Sequence, residues 1–175
     1  NKGVSAATGD IIGILNSDDF YANHTVISDV VKRLKQTGAE GLYADLVYVD
    51  RNETNKIIRA WKSGEYRVGM FLQGWMPPHP TFFVMRKWYE TFGKYSIELR
   101  SSSDYELMLR FIHKHHLKLA YLPQVITKMR AGGQSNVTLK NRWRANREDR
   151  LAWKMNGLQP GLFTLVRKPL SKLLQ

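Results

Sequence analysis

Cysteine is absent from the chain. Neither a disulfide scaffold nor a thiolate-held metal can therefore organise it, and nothing argues for an oxidising compartment. No stretch approaches the roughly 18–20 apolar residues that a membrane-crossing helix requires. Internal repeats and low-complexity tracts are missing as well. A composition that is 43% hydrophobic and 24% charged excludes disorder, collagen-like sequence and coiled coil. Acidic residues are few: 15 Asp and Glu stand against 27 Lys and Arg, a formal net charge of +12. What remains is a globular chain of 175 residues, the size of one ordinary domain.

The first residue is Asn1, with no Met and no signal-peptide pattern, and the opening reads as an amphipathic turn running straight into a strand. The expectation is a chain whose beginning is missing. The positive charge is unevenly spread. Residues 140–175 hold nine Lys/Arg and two acids, so they carry +7 of the +12.

Residues Asp10 to Leu15 form a short apolar run ended by Asn16-Ser17-Asp18-Asp19, the pattern of a strand buried on both faces that stops in a polar loop. From His24 to Lys35 the period becomes helical, with Val26, Ile27, Val30, Val31 and Leu34 on one face and Gly38 placed to end the helix. Gly41 to Asp50 reads as a second strand and Ile57 to Trp61 as a third. Strand, helix, strand in that order is an α/β signature. Three prolines keep Trp75 to Pro80 extended, a buried strand follows at Thr81 to Met85, and a short helix runs from Arg86 to Phe92. Ser103-Asp104-Tyr105-Glu106 has the spacing of a capping box opening a helix to about His115. Leu117 to Leu122 reads as a last strand closed by Pro123.

The strongest local signal is Asn16-Ser17-Asp18-Asp19 directly after a strand. Ligands of open α/β sheets collect at the carboxyl ends of strands. Two adjacent carboxylates cannot both turn inward without a cation, because burying an unpaired charge is costly. Mg²⁺ or Mn²⁺ suits such a place, since it takes one or two carboxylates and leaves its other positions to phosphate and water. The alternative is an ordinary polar turn, for which Asn, Ser and Asp are the usual residues.

Together with Asn1-Lys2-Gly3, the run Ala6-Ala7-Thr8-Gly9-Asp10-Ile11-Ile12-Gly13-Ile14-Leu15-Asn16-Ser17-Asp18-Asp19 closely resembles the family 2 glycosyltransferases. In that family a stretch of the form N-x-G…A-x-G-D-x-I-x-x-L-x-x-D-D carries the metal-binding motif. Three later segments are similar in the same order: Pro78-His79-Pro80-Thr81-Phe82-Phe83-Val84, Ser103 to Arg110, and Gly132-Gly133-Gln134-Ser135. The sequence departs from the family pattern by starting after the usual nucleotide-binding strand and by having Asn16 where many members have Asp.

The resemblance implies a GT-A fold: a Rossmann-like mixed sheet flanked by helices, truncated at its amino end, over residues 1–136. Residues 137–175 read, from their own charge and pattern, as a basic amphipathic helical tail. It implies a nucleotide-diphospho-sugar donor and transfer with inversion to a hydroxyl of a saccharide or lipid-linked acceptor. By the same resemblance Asp19 and Asp18 would hold Mn²⁺ or Mg²⁺, with Asp18 also towards the ribose. Asp104 would be the catalytic base, His79 would line the acceptor side, and Arg130 and Ser135 would close over the diphosphate. Beside these roles stand plainer ones: Asp104 as a helix-start acid favoured by the macrodipole, and His79 as a loop histidine packed on Trp75.

Beyond Pro160, apolar Leu162, Phe163, Leu165, Val166 and Leu170 alternate with Arg167, Lys168 and Lys172, a pattern that suits peripheral contact with an anionic membrane. The implied location is cytoplasmic, at the inner face of the cell membrane, in surface polysaccharide or glycolipid synthesis. The rival class is a nucleic-acid-binding module, suggested by the net charge and five Trp. It is the weaker reading, because the aromatics are not interleaved with the basic residues. A further alternative is a catalytically inactive glycosyltransferase fragment.

Overall fold

The computed structural model describes residues 1–132, 139–161 and 164–165, with the side chains of 139–143 left aside. The element order is α1 (Lys2–Ala6), β1 (Ile11–Gly13), β2 (Phe20–Tyr21), α2 (Val26–Thr37), β3 (Gly41–Val49), β4 (Ile57–Trp61), β5 (Phe83–Met85), α3 (Arg86–Phe92), α4 (Ser103–Met108), β6 (Leu119–Arg130) and α5 (Leu139–Met155). A π-helical turn over Leu109–Lys114 continues α4.

One mixed sheet in the order β1-β5-β3-β6-β2 organises these elements, with β4 also paired to β3. Strand β3 runs parallel to β6 and antiparallel to β4 and β5. Both faces of β3 are covered, which is why its sequence is apolar almost throughout and eight of its nine residues are buried. On one face lie Val26, Val30 and Leu34 of α2 with Leu42, Ala44 and Ile126. On the other lie Tyr43, Phe71, Trp75, Tyr105 and Phe111, and the same cluster takes in Ala152 and Trp153 of α5. Gly38 ends α2 in the left-handed region at φ 57°, as a helix-ending glycine does.

The structure departs from the sequence reading in four places. The helical face of α2 is narrower than its apolar stripe: Ile27 is 48% exposed. Strand β1 is three residues long and only Ile12 is buried, so Asp10–Leu15 is not a strand covered on both faces. Strand β6 does not close at Pro123 but runs on to Arg130. The pairing of Ala44 with Leu122 jumps to Asp45 with Val125. Pro123, which has no N–H to give a ladder, sits in that bulge and does not break the strand. Finally, the capping box does not form. Ser102, not Ser103, is the N-cap residue, and Glu106 turns away to Arg110 Nε at 2.9 Å.

Candidate active site

Strand β1 delivers Asn16 to Asp19 to the end of the sheet, and β2 then pairs Phe20 with Lys128 and Tyr21 with Thr127 of β6. Phe20 lies under the Arg130 guanidinium at 5.0 Å. Asp19 turns inward and is 8% exposed. Asn16 Nδ2 donates to Asp19 Oδ2 at 2.8 Å, and Arg130 Nη1 donates to the backbone oxygen of Asp18 at 2.6 Å. Burial pushes the Asp19 carboxyl up from the ordinary aspartate range; the Asn16 hydrogen bond opposes this, and the adjacent Asp18 charge adds to it.

The second cluster forms where the Trp75–Phe82 segment meets α4. His79 Nε2 and the Tyr95 hydroxyl share a hydrogen bond of 2.8 Å, and their rings meet edge to face at 5.7 Å. The partner of His79 is thus Tyr95, not Trp75. Burial lowers the His79 pKa, opposed by the charge of Asp104, and burial raises that of the Tyr95 phenol far above its usual range. Both rings are therefore neutral at physiological pH, and Asp104 is the carboxylate they face. Asp104 stands in the first turn of α4, half-buried, and its Oδ1 accepts from the Tyr105 amide at 2.8 Å. Tyr95 is held from behind by Asn1, whose side chain donates to the Tyr95 carbonyl at 2.9 Å and accepts from its amide at 3.0 Å.

A chain of contacts links the two clusters. Tyr21, two residues after Asp19, stands opposite Thr127, whose hydroxyl donates to the carbonyl of Pro80 at 3.0 Å, next to His79. Asp18, Asp19 and Arg130 are thus brought together at the sheet end, and His79 and Asp104 at its neighbour. Ser135 lies outside the described residues, as do residues 162–163 and 166–175 of the expected basic tail. The sequence reading passed over two further polar residues, Asp45 and Tyr95. Asp45, on the bulged part of β3, accepts from the Ser63 amide and the Tyr121 hydroxyl, both at 2.8 Å. Tyr121 is pushed up to about 12, by burial first and then by Asp45. A lone acid inside the apolar run of Gly41 to Asp50 was the signal for Asp45. Tyr95 carries no such signal, because only the fold brings it to His79.

The donor set can be tested against a divalent ion. Among the described residues no group of three or more His, Cys, Asp or Glu is placed to hold a metal. An all-protein cage is therefore not available there. Asp18 and Asp19 offer two carboxylates, one of them desolvated, which suits an ion such as Mg²⁺ or Mn²⁺ that takes its other ligands from phosphate and water.

Residues 1–93 match the family described as Glycosyl transferase family 2. The chain belongs to that family. Its fold is similar to crystal structures of S. aureus TarS. The TarS 1–349 complex with UDP superposes at a TM-score of 0.61 and 13% identity, over 100% of this chain and 50% of that one. The complex with UDP-GlcNAc gives 0.63 and 13%, over 95% of this chain and 48% of that one. The family fold is accordingly the GT-A fold, and the chain spans about half the length of TarS 1–349. No curated protein matches it by sequence. Among the described residues no helix is long and apolar enough to cross a membrane.

Proposed function

We propose that the chain is part of an inverting glycosyltransferase that moves a sugar from a nucleotide-diphospho-sugar to a hydroxyl of a saccharide or lipid-linked acceptor. The observation that carries this reading is the buried Asp19 carboxylate beside Asp18 at the sheet end, in a chain of this family. Asp18 and Asp19 hold Mn²⁺ or Mg²⁺, with Asp18 also reaching towards the ribose. When bound, such an ion neutralises charge on the departing nucleoside diphosphate. Arg130, poised over Phe20, and Ser135 meet the diphosphate.

Asp104 takes the proton of the acceptor hydroxyl as its oxygen attacks the anomeric carbon. The bond from that carbon to the diphosphate oxygen breaks as the new one forms, so the configuration inverts without a nucleophile from the protein. Neutral His79 lines the acceptor side, held by Tyr95, and adds no positive charge that would weaken Asp104 as a base. The basic tail after Pro160 brings the protein to an anionic membrane on the cytoplasmic side, consistent with a role in surface polysaccharide or glycolipid synthesis.

A uridine diphosphate sugar is the first donor to test, because TarS has been crystallised with UDP and UDP-GlcNAc. The test is a thermal-shift panel of UDP, GDP, dTDP and their sugars, each with and without Mn²⁺. A nucleotide at 100 times its Kd adds about 2.7 kcal/mol. Stabilisation by one nucleotide, with metal only, supports the donor site. A blank panel on this chain and on a longer natural chain containing it refutes the reading.

A further inference from the structure

Helix α4 carries Asp104, whose Oδ1 takes the Tyr105 amide, yet no side chain at its N-cap position closes its start. Ser102 is the N-cap residue and makes no side-chain cap bond, and Ser103 donates instead to the carbonyl of Ser96 at 2.7 Å. The amide of the N-cap residue, Ser102, has no acceptor inside the helix. The acceptor comes from the other end of the sequence. Glu148 of α5 takes the Ser101 amide at 2.7 Å and the Ser102 amide at 3.1 Å on the same oxygen. The Ser102 hydroxyl in turn donates to the Ala145 carbonyl at 3.3 Å.

Further along the same helix pair, Trp153 Nε1 donates to the Tyr105 hydroxyl at 2.9 Å and Asn156 Nδ2 to Glu106 Oε1 at 3.1 Å. The contacts differ in what they can control. Those of Trp153 and Asn156 hold the body of α4. The carboxylate of Glu148 grips the two peptide units immediately before the turn that carries Asp104, and so sets where that turn begins.

We infer that Glu148 is a positioning residue for catalysis: α5, which lies beyond the family-matched segment, fixes the start of α4 and thereby aims Asp104 at the acceptor hydroxyl. The inference rests on the reading of Asp104 as the base. General-base catalysis depends on hydrogen-bond reach to one proton, and a displacement of about 1 Å can cost on the order of 100-fold in rate. Donor binding depends on the other cluster, at Asp18, Asp19 and Arg130, so a fault at Glu148 falls on kcat and not on donor affinity.

The test compares Glu148→Ala, Glu148→Gln, Asn156→Ala and Asp104→Asn in the full chain, reading kcat, donor KM, nucleotide affinity and Tm. Glu148→Ala is expected to lower kcat about 10–100-fold with donor KM and nucleotide affinity unchanged. Glu148→Gln, whose amide oxygen can still accept both bonds, restores kcat to within about threefold, since it keeps the bonds and loses only the small helix-charge contribution. Asn156→Ala lowers Tm and leaves kcat in place. In the Asp104→Asn background, Glu148→Ala has no further effect on the residual rate. The inference is overturned if Glu148→Ala keeps full kcat while Asp104→Asn is impaired, if it weakens donor binding as much as kcat, if Gln does no better than Ala, or if Asn156→Ala lowers kcat equally. Asp104→Asn at the wild-type rate removes the base assignment itself, and this inference with it.

Discussion

Asp19→Asn makes the sharpest prediction about stability, because the groups around Asp19 pull in opposite directions. Desolvation is the largest influence on its carboxyl and raises its pKa, Asp18 adds to the rise, and Asn16 and Arg130 only partly offset them. A carboxyl whose pKa is higher folded than unfolded favours folding when protonated. Its contribution is fully present below the ordinary value of 3.8 and is lost as pH rises through the folded value. At neutral pH, without metal, the ionised group therefore costs stability.

Asn at position 19 removes the charge and keeps an oxygen for the 2.8 Å bond from Asn16 Nδ2. Relieving a functional site of such a burden typically yields about 0.5–2 kcal/mol. At about 2–4 °C per kcal/mol for a chain of this size, Tm should rise by about 1–8 °C at pH 7 in EDTA. The gain should shrink as pH is lowered towards the carboxylate range. Thermal melts across that range read it directly. A Tm below wild type at pH 7, or a gain that grows on acidification, would refute the reasoning.

Two further outcomes follow from packing. A methyl at Gly13 would stand 2.3 Å from the ring of Phe83, its partner across β1 and β5, so Gly13→Ala should destabilise by about 1–3 kcal/mol, seen as a lower Tm. Glu106 and Arg110 form a buried two-point pair at 2.9 and 3.0 Å, and Arg110 also donates to the carbonyls of Gly93 and Lys94 at 2.9 and 2.8 Å. Glu106→Ala leaves that guanidinium its carbonyl partners but no counter-charge and should cost about 3–5 kcal/mol in denaturant unfolding, whereas a cost under about 1 kcal/mol would show the pair to be unimportant.

What could be read in advance follows the range of the interactions involved. The α2 face, the glycine that ends it, strands β3 and β4, and the acid pair after β1 are written in neighbouring residues. The stripe over-counted Ile27 because periodicity gives direction but not how far the covering layer extends. Pro123 misled because its ordinary meaning, an end to pairing, assumes a regular ladder, and the bulge between β3 and β6 supplies a place where no N–H is required. The capping box failed for a similar reason. Glu106 has a better partner in Arg110, and the Ser102 and Ser101 amides at the helix start are taken by Glu148 from 46 and 47 residues away. The Tyr95 contact with His79 lies beyond any local pattern.

The most direct measurement is titration calorimetry of the nucleotide chosen by the thermal-shift panel, with and without Mn²⁺, against wild type, Asp19→Asn and Asp104→Asn. Metal-dependent binding that is lost in Asp19→Asn and retained in Asp104→Asn is the expected result, because one cluster holds the donor and the other takes the proton. Binding that ignores both Mn²⁺ and Asp19→Asn would contradict it.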